Sequence, residues 1–121
     1  MFTLDTNILI YYSAGDEKVA AFLHRNREQI FYLPTIAAAE FLSHPRLDAE
    51  TTALFKIFLT QTIPIGLDLG LAERAAQIRR LYGLKLADAV IAATAALTKS
   101  SLVTRNVRDF RKIKELPLIE I

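Results

Sequence analysis

The sequence contains no cysteine and no tryptophan, and it has only four glycines, four prolines and one methionine among 121 residues. Without cysteine the chain has no disulfide, no thiolate metal ligand and no cysteine nucleophile, so any metal site must use oxygen ligands. No glycine- or proline-rich linker, internal repeat or low-complexity tract divides the chain. Since 52% of the residues are hydrophobic, we expect one domain with a single core over residues 1–121.

Long apolar runs are also missing, since every run is well below the roughly 18 residues that a membrane span requires. An acidic residue at position 5 comes too early for a secretory signal with a basic start. We therefore expect a soluble, cytoplasmic protein with no membrane partner. The net charge of +2 says little about nucleic acid. Five basic residues within 105–114 fit either a solvated helix face or phosphate contacts.

Short apolar runs alternate with segments of helical spacing along the chain. The runs predict strands at residues 1–4, 30–33, 63–65, 102–103 and 118–121. A helix is predicted from a cap at Asp68 to a stop at Gly83, and others from residue 16, from residue 34, after Pro45, over 87–97 and over 107–113. This alternation indicates an α/β fold with a mainly parallel five-stranded sheet sandwiched by helices.

Four acidic residues interrupt or border the apolar runs: Asp5, Glu40, Asp88 and Asp109. A buried unpaired charge is costly, so such residues are usually paired, used as caps or neutralised by a cation. Asp5 and Asp109 follow predicted strands, and Glu40 and Asp88 lie on helices that can return an acid to the same sheet edge, where this class binds ligands. Four carboxylates gathered at this edge predict a site for Mg²⁺ or Mn²⁺. The usual chemistry of such a site is reaction at the phosphorus of a phosphodiester.

Each of these acids also has an ordinary explanation, which the sequence leaves open. Asp5 fits a turn or a helix start, and Asp88 fits a helix cap. Glu40 shares a helix face with apolar residues but fits the exposed edge of that face. Asp109 fits a surface ion pair across a turn with Arg105 or Lys112.

Other polar residues are candidates for supporting roles. Thr104 and Asn106, at the end of the fourth strand, fit either a turn or the orientation of a water or a metal ligand. His24 and His44 lack the spacing of a nitrogen metal site and are expected to be ordinary histidines. Four arginines are candidates for contacts with phosphate groups: Arg79, Arg80, Arg105 and Arg108.

Four sequence segments in order, LDTNILI, IAAAEFL, LADAVIAATAAL and LVTRNVRDF, resemble the PIN-domain family, and among its members the short VapC-like toxins of toxin–antitoxin pairs. The resemblance covers essentially the whole chain, although the chain ends soon after the last strand, without the tail of many relatives. It implies a parallel sheet between helices, a divalent cation (Mg²⁺ or Mn²⁺) and metal-dependent endoribonuclease activity. It also implies a cognate antitoxin partner and a homodimer.

The same resemblance implies roles for individual residues. It makes Asp5, Glu40, Asp88 and Asp109 the catalytic acids. Asp5 and Asp88 would be the principal metal ligands, Asp109 would complete the site directly or through water, and Glu40 would ligate the metal or position the attacking water. Two accessory residues match the family motif before the last acid: Thr104 and Asn106.

Two other functions fit parts of the sequence. A phosphatase or receiver-like domain also places acids beyond a parallel sheet, but the segment after the first strand, DTN, lacks the Asp-x-Asp pair of a phosphoaspartate phosphatase. A non-catalytic interaction module would use apolar helix residues to bind a protein partner. Candidate interface residues, each of which also fits the core, are Phe41, Leu42, Phe55 and Phe58.

Overall fold

The computed structural model describes residues 1–121 and consists of five strands and seven helices. The strands are β1 (Phe2–Leu4), β2 (Phe31–Pro34), β3 (Ile63–Ile65), β4 (Ser101–Thr104) and β5 (Leu118–Glu120). The helices are α1 (Thr6–Ser13), α2 (Glu17–Arg25), α3 (Thr35–Leu42), α4 (Ala49–Leu59), α5 (Leu69–Tyr82), α6 (Leu86–Thr98) and α7 (Val107–Phe110).

The strands form one sheet in the order β3-β2-β1-β4-β5, and every neighbouring pair is parallel. The predicted α/β fold is thus confirmed. The chain builds outward from β1 to β3, crosses back through α5 and α6, and then adds β4 and β5 on the other side of β1. The connections therefore diverge between β1 and β4, which is where open parallel sheets form their ligand crevice.

Aspartates begin four of the helices, because a short carboxylate can accept hydrogen bonds from backbone N–H groups that have no partner within the helix. These N-caps are Asp5, Asp16, Asp48 and Asp68. At the other end of α5, Gly83 takes a left-handed conformation with φ of 69°, which glycine adopts without steric cost. Both predicted ends of α5 are confirmed.

Helix α6 lies in the middle of the core. Seven consecutive residues, 89–95, are buried, and six of them are alanine, valine or threonine with side chains small enough for close approach to the sheet. The sequence from Ala87 to Leu97 is small and apolar all around, which predicts a helix packed on more than one side, and the structure confirms it. No single helix is long and apolar enough to cross a membrane. Taken together, α5 and α6 have sufficient length and apolar composition, but the pair is bent by 116°.

The structure differs from the sequence prediction at three helices. Residues 6–13 form a separate helix, α1, which the apolar spacing did not delimit. Helix α7 ends at Phe110 rather than at residue 113. The spacing of Leu54, Ile57 and Phe58, with Phe55 adjoining, predicts a wide apolar stripe on α4, which is only partly buried. Phe55 is in the core, whereas Leu54 and Ile57 are 60% and 61% exposed. Among the candidate interface residues, Phe41 is also buried in the core.

Candidate active site

The acidic residues lie around the carboxyl ends of β1 and β4. Asp5 directly follows β1, and its backbone N–H donates to the Val103 carbonyl of the neighbouring strand at 3.1 Å. Thr104 is the last residue of β4, and the pairing of Leu4 with Val103 places it beside Asp5. Helix α6 leads into the start of β4, so its first turn, which contains Asp88, lies over the same edge.

Asp5 is the most buried of the four acids, with 4% of its surface exposed. Its Oδ1 accepts a hydrogen bond from the Thr6 backbone N–H at 2.8 Å, and its Oδ2 accepts one from the Thr104 hydroxyl at 2.7 Å. Burial, assisted by the charges of Asp88 and Glu40, nevertheless outweighs these hydrogen bonds and raises the pKa of Asp5 to about 6. The carboxylate is held firmly but is disfavoured as an anion.

Asp88 is the third residue of α6 and is half-buried. Burial raises its pKa, and the charges of Glu40 and Asp109 add to that rise, while Lys85 opposes it. Lys85 occupies the N-cap position of α6, and Asp88 makes no cap hydrogen bond. The ordinary explanation of Asp88 as a helix cap is therefore wrong for this structure.

Glu40 lies near the end of α3 and is exposed, so the side chain lies at the edge of the apolar face rather than within it. The Thr6 hydroxyl donates to its Oε1 at 2.6 Å. Thr6 therefore contacts two acids, because its backbone N–H donates to Asp5. The other carboxylate oxygen of Glu40 accepts no hydrogen bond from the protein.

Asp109 is half-buried on α7, and its Oδ2 accepts a hydrogen bond from the Asn106 side-chain amide at 3.1 Å. The backbone N–H of Asn106 in turn donates to the Thr104 hydroxyl at 2.8 Å. Asp109 forms no salt bridge, so its proposed surface pairing with Arg105 is wrong. Thr104 and Asn106, the two predicted accessory residues, each contact one of the acids.

The predicted phosphate-binding arginines have different environments. Arg79 and Arg80 lie in the last turn of α5, and Arg108 lies beside Asp109; all three are exposed and form no salt bridge. Arg105 instead forms a salt bridge with Asp16 at 2.7 Å, because the loop after β4 packs against the start of α2. Its guanidinium is thus held by Asp16, and its contact with RNA phosphates stays a prediction.

The candidate ligands at this edge are carboxylate oxygens, which are the ligands that a hard divalent cation prefers. The pKa values of two of the carboxyl groups, Asp5 and Asp88, are raised. No three acidic or histidine side chains are placed so that they could hold one ion between them. In the predicted trio, Asp88 interacts electrostatically with Asp5 and with Asp109, but the three do not form a complete ligand cage. His24 and His44 are exposed and belong to no such group.

Sequence reasoning missed Thr6, Lys85 and Asp16. Thr6 adjoins Asp5 in the sequence, and that adjacency was a usable signal. Lys85 precedes α6 by one residue and affects Asp88 through its charge. Asp16 and Arg105 are 89 positions apart in the chain, so no local sequence pattern predicts their contact.

Asp5, Asp88 and Asp109 line none of the five main grooves of the protein, so the acidic edge is not enclosed in one of them. The largest groove of the protein, about 690 Å³, lies between α5, α6 and residues 113–117, and none of the four acids lines it. A smaller groove beside Glu40 has a volume of about 200 Å³. An open acidic site is accessible to a large substrate such as a polymer, whereas small-molecule sites usually enclose their ligand.

The fold and the site together define a class: an α/β protein with interacting carboxylates at the point where the connections of a parallel sheet diverge. The family profile of the PIN domain matches residues 2–116. The chain therefore belongs to the PIN domain family, which generally consists of nucleases that use divalent metal ions. The resemblance seen in the sequence is confirmed.

Solved structures with the same fold cover nearly the whole chain. A toxin–antitoxin complex from Klebsiella pneumoniae matches with 28% identity and a TM-score of 0.84 over 100% of both chains. FitAcB from Neisseria gonorrhoeae matches with 25% identity and a TM-score of 0.73 over 98% of this chain and 96% of that one. VapBC2 from Rickettsia felis, bound to a DNA fragment from its promoter, matches with 21% identity and a TM-score of 0.85 over 99% and 98%. No curated protein sequence gave a significant match.

Proposed function

We propose that this chain is an endoribonuclease that depends on a divalent metal ion and hydrolyses RNA phosphodiester bonds. The observation that carries the proposal is the gathering of four carboxylates at one sheet edge, where burial and neighbouring acids disfavour the anionic forms of Asp5 and Asp88. A bound cation would offset both effects. Membership of the PIN domain family supports the same conclusion.

Asp5 and Asp88 are the proposed principal ligands of Mg²⁺ or Mn²⁺, and Asp109 is proposed to reach the ion directly or through water. Mg²⁺ retains several waters and is usually held by one or two carboxylates, so an incomplete carboxylate cage is compatible with binding. When bound, the ion would lower the pKa of a coordinated water and withdraw negative charge from the phosphodiester. Thr104 and Asn106 are proposed to orient the oxygens of Asp5 and Asp109.

Glu40 is proposed to position the attacking water and to take its proton. Thr6 holds Oε1, and the second oxygen is free to accept that proton. The water oxygen then bonds to phosphorus, the bond between phosphorus and the leaving ribose oxygen breaks, and that oxygen takes up a proton from solvent. This reaction requires no protein nucleophile.

The open acidic edge suits a polymeric substrate, and exposed basic residues at its border are proposed to contact RNA phosphates. Arg108 adjoins Asp109, and Arg79 and Arg80 lie at the end of α5 that leads into the first turn of α6. Phosphate contacts position a nucleic acid but carry little sequence information. These residues are therefore proposed to strengthen binding without choosing the cleaved sequence.

We also propose that the chain is the toxin of a toxin–antitoxin pair, acts in the cytoplasm, and forms a homodimer. The support is the likeness to the toxin–antitoxin complex from Klebsiella pneumoniae.

A groove of about 390 Å³ between α1 and α4 exposes apolar side chains that an antitoxin segment would cover, including Tyr12, Leu54 and Ile57. Light scattering tests the homodimer, and suppression of cleavage by the protein encoded beside this gene tests the antitoxin.

The test of catalysis is incubation of purified protein with structured and unstructured RNA in Mn²⁺, Mg²⁺ or chelator. Two variants are compared with the parent: Asp88→Asn, which removes a proposed ligand, and Asp48→Asn, which makes the same change at the exposed N-cap of α4. We expect metal-dependent cleavage that only Asp88→Asn abolishes. Hydrolysis of a phosphomonoester with RNA left intact would favour a phosphatase, and partner binding without metal affinity would favour an interaction module.

A further inference from the structure

Arg105 joins three parts of the protein that surround the acidic edge. Its Nη1 and Nη2 donate to the two carboxylate oxygens of Asp16 at 2.7 and 3.0 Å, and this is the only salt bridge in the structure. Its Nε donates to the Ile121 carbonyl at 3.1 Å, and its guanidinium carbon lies 4.2 Å from the centre of the Tyr11 ring. This bidentate contact with the Asp16 carboxylate fixes both the position and the orientation of the guanidinium.

The backbone of Arg105 is also held by a side chain of α1. Its N–H donates to the side-chain oxygen of Asn7 at 3.4 Å, so residue 105 is attached to α1 through its main chain and through Tyr11. The Asp16 contact attaches it to the start of α2. The loop 104–106 is therefore fixed against both helices that follow β1.

This loop supplies hydrogen bonds to two of the proposed catalytic acids. Thr104 donates to Asp5 and Asn106 donates to Asp109, while the Asn106 backbone N–H donates to Thr104. Residue 105 lies between the two donors, so a displacement of its backbone moves both hydrogen bonds at once. The two acids come from elements more than 100 residues apart in the chain, and this loop is bonded to both.

We propose that the Arg105–Asp16 pair is a positioning device, which holds the loop 104–106 so that Asp5 and Asp109 keep the geometry required for metal binding. Its consequence for catalysis rests on the proposed nuclease function, whereas the restraint of the loop does not. Neither residue touches the acids themselves, so both act through Thr104 and Asn106.

The alternative is that the pair only stabilises the surface. Asp16 also caps α2, since its Oδ1 accepts from the backbone N–H groups of Lys18 and Val19 at 3.0 and 3.1 Å. The variant Asp16→Asn separates the two roles, because asparagine keeps an oxygen for the cap but loses the charge that pairs with Arg105. Asp48→Asn is the matched control, because Asp48 caps α4 through Thr51 at 2.7 Å without a basic partner.

The first measurement is amide hydrogen exchange by NMR on the metal-free protein. In Asp16→Asn we expect the Asn106 amide, which donates to Thr104, to exchange roughly tenfold faster, because the restraint on its loop is lost. The Thr51 amide at the start of α4 should be unchanged. In Asp48→Asn the Asn106 amide should exchange at the parent rate.

The second measurement is calorimetric titration with Mn²⁺. Loss of groups that orient metal ligands typically costs about 10- to 100-fold in affinity, so we expect the Mn²⁺ dissociation constant of Asp16→Asn to rise about tenfold. Arg105→Lys keeps the charge but not the two-pronged contact, and it should show a smaller rise of the same kind. Asp48→Asn should bind Mn²⁺ like the parent.

The two measurements separate this inference from the proposed function. Unchanged Asn106 exchange in Asp16→Asn overturns the positioning role whether or not the protein binds metal. Faster exchange with unchanged Mn²⁺ affinity also overturns it, because the restraint would then have no effect on the acids. A parent protein without saturable Mn²⁺ binding contradicts the nuclease proposal, and the exchange result alone then decides whether the pair holds the loop.

Discussion

Asp5 and Asp16 begin consecutive helices and occupy the same local position, yet their carboxylates have opposite electrostatic environments. Asp5 faces Asp88 and Glu40, is buried, and has a pKa raised to about 6. Hydrogen bonding to Arg105 lowers the pKa of Asp16, and the N–H groups at the start of α2 assist. The difference shows that an aspartate N-cap is structural where a cation completes it and is a candidate ligand where other acids surround it.

The two regions extend beyond these residues. The acidic edge contains four carboxylates, none of which forms a salt bridge; Asp5, Glu40 and Asp109 accept hydrogen bonds only from hydroxyl and amide groups. The neighbouring region contains one aspartate, one arginine and a tyrosine ring, and its charges are matched. The unneutralised charges of the acidic edge disfavour its ionised form, whereas the matched charges around Arg105 favour theirs. Unneutralised charge of this kind is typical of functional sites.

The largest expected change in the difference between the two regions comes from the variant Asp88→Asn, which removes one of the repelling charges of the acidic edge. We expect metal-dependent RNA cleavage to fall by at least about 100-fold, since even the loss of a group that orients a ligand costs 10- to 100-fold. Without metal the variant should be as stable as the parent or more stable at pH 7, because a repulsive charge is removed. Cleavage assays and urea unfolding measure the two effects. Severe unfolding of the variant would instead make Asp88 a structural residue.

Adding a divalent cation should reduce the contrast by neutralising the acidic edge. A ligand that binds only the native state, at about 100 times its dissociation constant, adds roughly 2.7 kcal/mol to the free energy of unfolding. For a chain of this length we expect Tm to rise by about 10 °C. Thermal unfolding over a range of Mn²⁺ concentrations checks this. A rise of the same size in Asp88→Asn would show that the ion binds elsewhere.

The pH dependence of stability should reveal Asp5 directly. Its folded-state pKa of about 6 exceeds the ordinary 3.8, so the folded protein binds more protons than the unfolded chain between about pH 4 and pH 6. Stability should therefore fall as pH rises through that window, by about 3 kcal/mol at most.

The variant Asp5→Asn has no such titration, so its metal-free profile should be flatter and its stability at pH 7 higher than that of the parent. Urea unfolding in chelator at several pH values measures both quantities. Asp48→Asn, the control, should retain the fall between pH 4 and pH 6. Parallel profiles for the parent and Asp5→Asn would contradict the raised pKa.

The smallest expected effect concerns the two structural caps in acid. The pKa values of Asp16 and Asp48 are both lowered in the folded state, so their contributions are present above the ordinary pKa and are lost as pH falls through the lowered values. Asp16→Asn and Asp48→Asn should each weaken the loss of stability below about pH 4.

Salt distinguishes the two caps. The partner of Asp16 is a cation, so added salt should screen its contribution, whereas Asp48 is stabilised mainly by the backbone N–H of Thr51. Urea unfolding near pH 3 at low and high salt measures this. Equal salt sensitivity in the two variants would mean that the Arg105 contact has little electrostatic effect.

Local chemistry explains why much of the fold was predictable. Helix α5 has an aspartate at its start and a glycine at its end, and both signals act within a few residues. Helix α6 is apolar on every side and is buried accordingly. Helix α1 was not delimited because its apolar residues are partly exposed, and α4 was only partly predicted because Leu54 and Ile57 face outward. Apolar spacing shows that a face exists but does not show what covers it.

The acidic set was predictable as a list of residues, because carboxylates within apolar runs are costly unless they have a partner. Its geometry was not predictable. Glu40 is exposed rather than buried among apolar residues, Asp88 is not a cap, and Arg105 pairs with Asp16 rather than facing solvent. Each of these outcomes depends on contacts between elements that are far apart in the chain.

The sequence by itself determined the alternation of strands and helices, the caps of α5 and the identity of the four acids, because spacing and capping act over a few residues. Only the tertiary structure decided which carboxylates repel one another and which is neutralised. Asp5 and Asp16 have the same local role, and their pKa values diverge because Asp5 is buried beside Asp88 and Glu40, whereas Arg105 donates hydrogen bonds to Asp16. Burial and the charges of distant residues set that difference.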